Sequence, residues 1–162
     1  MTQRITQFVN QLEESLIALL LAAMTLITFS QVVARYFFNG GFVWALELTT
    51  YLFAWLILLG MSYGVRVGAH IGIDAITRLL PKNGQQVLAI LATLLCIAYC
   101  VLLFIGGIQY VSLIYDLGIQ TEDLPIGQWI PYSILPIGLA LLCFRFAQVL
   151  FKLITKPTKE ML

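Results

Sequence analysis

Long charge-free apolar runs alternate with short polar stretches along the chain, and run length is the first structural signal. Uncharged residues fill 15–34, 48–65 and 83–115, and a further apolar run extends from about Trp129 to Phe151. A helix rises ~1.5 Å per residue, so about 20 residues cross a hydrocarbon core of about 30 Å. The pattern predicts an all-α membrane protein, a single membrane domain over 1–162, with spans at about 15–38, 44–65, 86–111 and 129–151. Asn39, Gly40 and Gly41 separate the first two spans. The third run is longer than a perpendicular crossing needs and is expected to tilt or protrude. Pro131 stands near the start of the fourth span, where proline is tolerated. Pro136 lies deeper, removes a ladder hydrogen bond and predicts a kink.

Two stretches outside the spans are amphipathic. In 1–14, Ile5, Phe8, Val9 and Leu12 recur at helical spacing against Gln3, Arg4, Thr6, Asn10 and Gln11, which predicts a short helix lying in the interface. The run that follows exceeds the apolar region of a secretory signal and has no basic cluster before it, so it is expected to remain as a span. In 66–84, Ile73, Ile76, Leu79 and Leu80 line one face and Asp74 and Arg78 stand four apart on another, before Pro81 and Gly84. This is the predicted cytoplasmic amphipathic connection. Orientation follows from the cations: Arg4, Arg66, Arg78, Lys82, Arg145, Lys152, Lys156 and Lys159 fall on one side and Arg35 alone on the other. The positive-inside rule then places both termini in the cytoplasm, and Trp44 and Trp129 share the opposite boundary as an aromatic belt.

Composition agrees with the run lengths. Apolar residues make up 60% of the chain and charged residues 10%, and the mean hydropathy is +0.94. A water-soluble fold of this length has too little interior to hide that much apolar surface. A net charge of +1 and the lack of a basic run with interleaved aromatics exclude nucleic acid as a partner. Cys96, Cys100 and Cys143 lie in apolar runs without a CxxC pair and read as small buried hydrophobes. No internal repeat marks the inverted halves of an alternating-access transporter.

The search for chemistry turns on charge inside the spans, because an ionisable group at the bilayer centre costs ~2.5 to 3.5 kcal/mol or more and marks an ion or proton path. By sequence, every carboxylate and cation falls at a span end or in a loop, with Glu14 at the mouth of the first span. This argues against a proton-coupled antiporter of the small multidrug type. His70 is the single histidine and lies in a loop, so bis-histidine haem is excluded within the chain. No catalytic group, metal site or cofactor is expected, and the chain is not read as an enzyme. Trp55 stands deep in the second span and is expected to face another helix, where its N–H finds a partner. Arg35 and Glu47 flank the first turn; they either pair across it or act apart, as a snorkelling arginine and a helix-start glutamate.

The segments QVVARYFFN and WALELTTYLFAWLILLGMSYGVRVGAHIGIDAI carry Arg35, Tyr36, Trp44, Glu47, Trp55, Gly60, Arg66, His70 and Asp74 in an order and spacing that resembles the DctQ family. These are the small membrane subunits of tripartite ATP-independent periplasmic (TRAP) transporters. TEDLPIGQWIPYSILPIGLALLCFRF, with Glu122, Asp123 and Trp129, resembles the dicarboxylate branch. The resemblance spans nearly the whole chain. It implies a bacterial inner-membrane complex with a large membrane subunit (DctM-like) and a periplasmic substrate-binding protein (DctP-like), embedded among membrane lipids. It also implies sodium-driven uptake of an organic acid, a C4-dicarboxylate by the branch, with this subunit as a non-catalytic scaffold. Arg35, Trp44, Glu47, Trp55, Arg66, His70, Asp74, Glu122, Asp123 and Trp129 are then structural or partner-contact residues. Arg66, His70 and Asp74 read either as a structured cytoplasmic corner or as a simple positive-inside anchor. Two other classes fit four apolar spans: a self-sufficient small transporter and the membrane anchor of a redox enzyme.

Overall fold

No glycine or proline interrupts residues 2–37, and these form one uninterrupted helix, α1 (Thr2–Phe37). The computed structural model describes the backbone of residues 2–67 and 82–155 and the side chains of 11–67 and 84–155. Segment 1–14, expected as a separate interfacial helix, thus continues into the first span without a break. The helix closes where the sequence turns to Asn39-Gly40-Gly41. Asn39 takes a left-handed φ of 50°, and the N–H groups of Phe38 and Gly40 both donate to the Ala34 carbonyl, at 3.1 and 3.4 Å, which closes the last turn. The remaining helices are α2 (Trp44–Val67), α3 (Lys82–Asp116), α4 (Trp129–Tyr132) and α5 (Ile134–Thr155).

Four stretches are long and apolar enough to cross a membrane: Gln11–Phe37, Trp44–Val67, Gly84–Asp116 and Trp129–Thr155. The 35 residues of α3 give it a length of ~50 Å, well beyond a hydrocarbon core of about 30 Å. The fourth stretch is interrupted at Ser133, between α4 and α5. Pro136 has no N–H to offer the carbonyl four residues back, that of Tyr132, so the weak point falls one turn before the proline itself. Most of the expected cytoplasmic connection at 66–84, with His70, Asp74 and Arg78, lies outside the described residues, as do Lys156 and Lys159.

In space the helices run in the order α1, α2, α5, α3, each packed chiefly on the next, with α4 touching α3 and α2. The centre is the α2–α5–α3 trio. Val65, Cys100, Leu142 and Phe146 form its buried cluster, with Cys96, Ile97, Cys143 and Val149 packed around it. All three cysteines are free thiols. The α2–α5 crossing is close: a β-carbon added to Gly138 would lie 2.7 Å from the Leu58 β-carbon, so only glycine fits there without movement. Helix α1 is peripheral. None of the residues in its most apolar 18-residue stretch is buried within the chain, against 33% in the fourth span.

Candidate functional site

Two polar constellations stand at opposite ends of the helices. The first is built on Glu47, in the opening turn of α2, where a carboxylate suits the positive end of the helix. Its Oε1 accepts hydrogen bonds from Tyr51 Oη at 2.7 Å, one turn along, and from the Glu122 N–H at 3.0 Å. Its Oε2 accepts from the Asp123 N–H at 2.8 Å. Both carboxylate oxygens are thus committed to holding the loop between α3 and α4, with charge-assisted bonds. That loop is itself folded. The Thr121 N–H donates to the Ile126 carbonyl and the Gln128 N–H to the Ile119 carbonyl, and the buried Thr121 hydroxyl donates to the carbonyls of Leu124 and Ile126.

Aromatic groups support this end. Tyr132 packs edge-on against Tyr51 and Tyr110, with ring centroids 6.0 and 5.4 Å apart. Trp129 packs against Tyr115 and covers Gly127 so closely that an added β-carbon there would lie 2.7 Å from its Nε1. Trp44 opens α2 against Phe42. Trp55 donates its indole N–H to the Pro131 carbonyl at 3.1 Å and so ties α2 to α4. The side chains of Glu122 and Asp123 remain exposed. Arg35 lies in the last turn of α1 near Gly41, and among the described residues it forms no ion pair with Glu47.

The second constellation corrects the sequence reading. Arg145 lies within the last two turns of the predicted fourth span and is buried there rather than exposed as an anchor, and Glu13 belongs to the helix of the first. They form a buried ion pair: Arg145 Nη2 donates to Glu13 Oε2 at 2.8 Å, with the two side chains only 4% and 3% exposed. Arg66, at the end of α2, brings Nη1 to 3.6 Å from the same carboxylate oxygen and hydrogen bonds Glu14 through Nη2. Its guanidinium also lies over the Tyr63 ring at 4.6 Å. Arg145 reaches Gln148 Oε1 at 3.3 Å. Three helices, α1, α2 and α5, therefore meet through two carboxylates and two guanidiniums. A bilayer accepts such charges when they neutralise one another inside the protein.

Of the residues singled out by sequence, the structure brings together Glu47, Glu122 and Asp123, ties Trp55 to α4 and puts Arg66 in the buried network. It does not bring Arg35 to Glu47. Glu13 and Arg145 were missed, although a signal existed. In a four-span chain the start of span one and the end of span four share a leaflet, so an arginine inside the latter calls for an acid near the former.

Comparison with known proteins adds the following. Residues 24–156 match the family described as Tripartite ATP-independent periplasmic transporters, DctQ component. The C4-dicarboxylate TRAP transporter small permease protein DctQ of Vibrio cholerae serotype O1 is 37% identical over 181 aligned positions, covering 98% of this chain and 78% of that protein. The protein of the same name from Pseudomonas aeruginosa is 37% identical over 174 positions, covering 89% of this chain and 83% of the relative. The sialic acid TRAP transporter permease protein SiaT of Haemophilus influenzae is 31% identical over 152 positions, covering 88% of this chain but 23% of that longer protein.

Proposed function

Because the chain belongs to the DctQ component family of tripartite ATP-independent periplasmic transporters, we propose that it is the bracing subunit of a sodium-driven uptake system for an organic acid. It is a multi-pass transport component, not an enzyme. The proposed assembly comprises this chain, a large membrane subunit carrying the sodium and substrate sites, and a periplasmic binding protein that delivers the solute. The seat is the bacterial inner membrane with both termini cytoplasmic, as the distribution of lysine and arginine favours. A C4-dicarboxylate is the proposed solute, on the names of two relatives at 37% identity. In SiaT a stretch like this chain forms part of a longer permease protein, which supports physical association with a larger permease.

One observation carries the bracing role: the charged side chains drawn in among the described helices are committed to the chain's own structure. Glu13, Glu14, Arg66 and Arg145 join three helices, and Glu47 holds a loop. A subunit that bound sodium or a carboxylate substrate would need such groups uncommitted. The apolar helix faces left uncovered, above all on α1 and α3, are surface for lipid and for a larger partner.

Reconstitution tests the proposal. Proteoliposomes with the large subunit and binding protein are expected to lose most uptake when this chain is omitted, and to lose it also when the sodium gradient is collapsed. Full uptake without the chain would overturn the bracing role. Charge reversal at the exposed Glu122 and Asp123 is expected to weaken docking of the binding protein, and unchanged docking would remove that face from the interface. The ligand of the cognate binding protein identifies the solute.

A further inference from the structure

A pocket of about 470 Å³ opens beside the buried ion network, lined by Arg66, Arg145, Gln148 and Lys152 together with Phe144 and Phe151. Its charge is one-sided: among the described residues three cations line it and no carboxylate does. Glu13 and Glu14 pair with the two arginines without lining the pocket, and they offset two of the three positive charges. One positive charge is left over. Lys152 supplies it, being exposed and taking part in none of the ion pairs among the described residues.

Depth fixes what this charge meets. From Trp44 to Arg66 helix α2 rises ~33 Å, so Arg66 and its partners Glu13 and Arg145 lie at the edge of a hydrocarbon core of about 30 Å. Lys152 stands two turns past Arg145 on α5, ~10 Å further out, at headgroup level. Phe144 and Phe151 are mostly exposed and flank the pocket with apolar surface. Gln148 accepts from Arg145 through Oε1 and keeps two amide N–H donors for an anion.

We propose that this pocket binds the headgroup of an anionic phospholipid such as phosphatidylglycerol, its single phosphodiester charge matched by Lys152 and the arginine pair, its acyl chains running past Phe144. Basic pockets between membrane helices near the cytoplasmic surface suit such headgroups. The inference needs only the membrane-spanning fold and not the transport role, so its test requires no uptake measurement.

The full chain, stripped of lipid in detergent, is offered equal amounts of phosphatidylglycerol and phosphatidylcholine, and the retained lipid is counted by native mass spectrometry. The wild-type chain is expected to prefer phosphatidylglycerol. Lys152→Gln is expected to cut that preference about fivefold, the effect of one cation near an anionic headgroup. Lys152→Arg should restore it, and Arg35→Gln, at the opposite end of the helices, should leave it unchanged. Equal retention of the two lipids, or a preference that survives Lys152→Gln, would overturn the proposal. So would displacement of the lipid by inorganic phosphate in modest excess, which would identify a site for soluble anions.

Discussion

Replacing Glu13 with alanine strands a guanidinium. Arg145 is 4% exposed and donates a hydrogen bond to the Glu13 carboxylate at 2.8 Å, so Glu13→Ala leaves a desolvated cation without its counter-charge. Removing one member of a buried pair costs about 3 to 5 kcal/mol, whereas replacing both by apolar residues of similar volume is often neutral. For a chain of this size 1 kcal/mol corresponds to about 2 to 4 °C in Tm. Glu13→Ala is therefore expected to lower Tm by roughly 6 to 20 °C. Glu13→Leu combined with Arg145→Met should return to within a few degrees of wild type. Glu14 offers the internal contrast, because it pairs with Arg66 but is half exposed. Screened by solvent, its removal should cost no more than about 1 kcal/mol. The assay is thermal unfolding of the purified chain in detergent, followed by tryptophan fluorescence. A loss below about 2 °C for Glu13→Ala, or a double variant no better than the single, would refute the argument that burial makes this pair structural.

Further tests address the other end and the helix contacts. Glu47→Gln puts an amide NH2 where one of two N–H donors needs an acceptor; hydrogen exchange at Glu122 and Asp123 should accelerate, and unchanged protection would mean that the loop holds itself. Trp55→Phe removes the bond to the Pro131 carbonyl and should cost about 1 kcal/mol in thermal unfolding; an unaltered Tm would show that the indole N–H contributes nothing. Gly138→Ala drives a β-carbon against Leu58 and should destabilise by about 1 to 3 kcal/mol, with Leu58→Ala in the same chain recovering part of it; if the second change adds to the loss, the helices do not approach there as described.

The spans were legible because length and lack of charge are properties of single helices. Each of the four stretches that meets the length and hydropathy needed to cross overlaps one of the apolar runs. Which helix lies beside which was not legible, since the neighbour order α1, α2, α5, α3 differs from chain order and no sequence period encodes it. The same gap hid Arg145. Read alone, an arginine toward the end of a span looks like a snorkelling anchor. It becomes a buried group only when α1 brings Glu13 to it. At the other end, Glu47 and Arg35 were noticed because they flank one turn. The true partners of Glu47 are backbone N–H groups seventy-five residues and more away, which carry no side-chain signal.

That the sequence and the structure assign different meanings to charge bears on function. The spans are not empty of ionisable groups, as the charge-free runs had implied, yet those groups answer to one another. Arg66 and Arg145 share Glu13 through its Oε2, and Glu14 pairs with Arg66, so two carboxylates offset two guanidiniums without a solute. A site built for transport needs charge that changes partners during the cycle, whereas these groups, at the junction of three helices, would lose several kcal/mol if the buried pair opened. The same reasoning distinguishes the two ends. At one, Glu47 fixes the backbone of a loop while the side chains of Glu122 and Asp123 stay exposed. At the other, the charges are drawn inward and only Lys152 stands free of an ion pair among the described lining of its pocket. Inward-facing charge thus binds helix to helix at one end, and outward-facing charge is left at both.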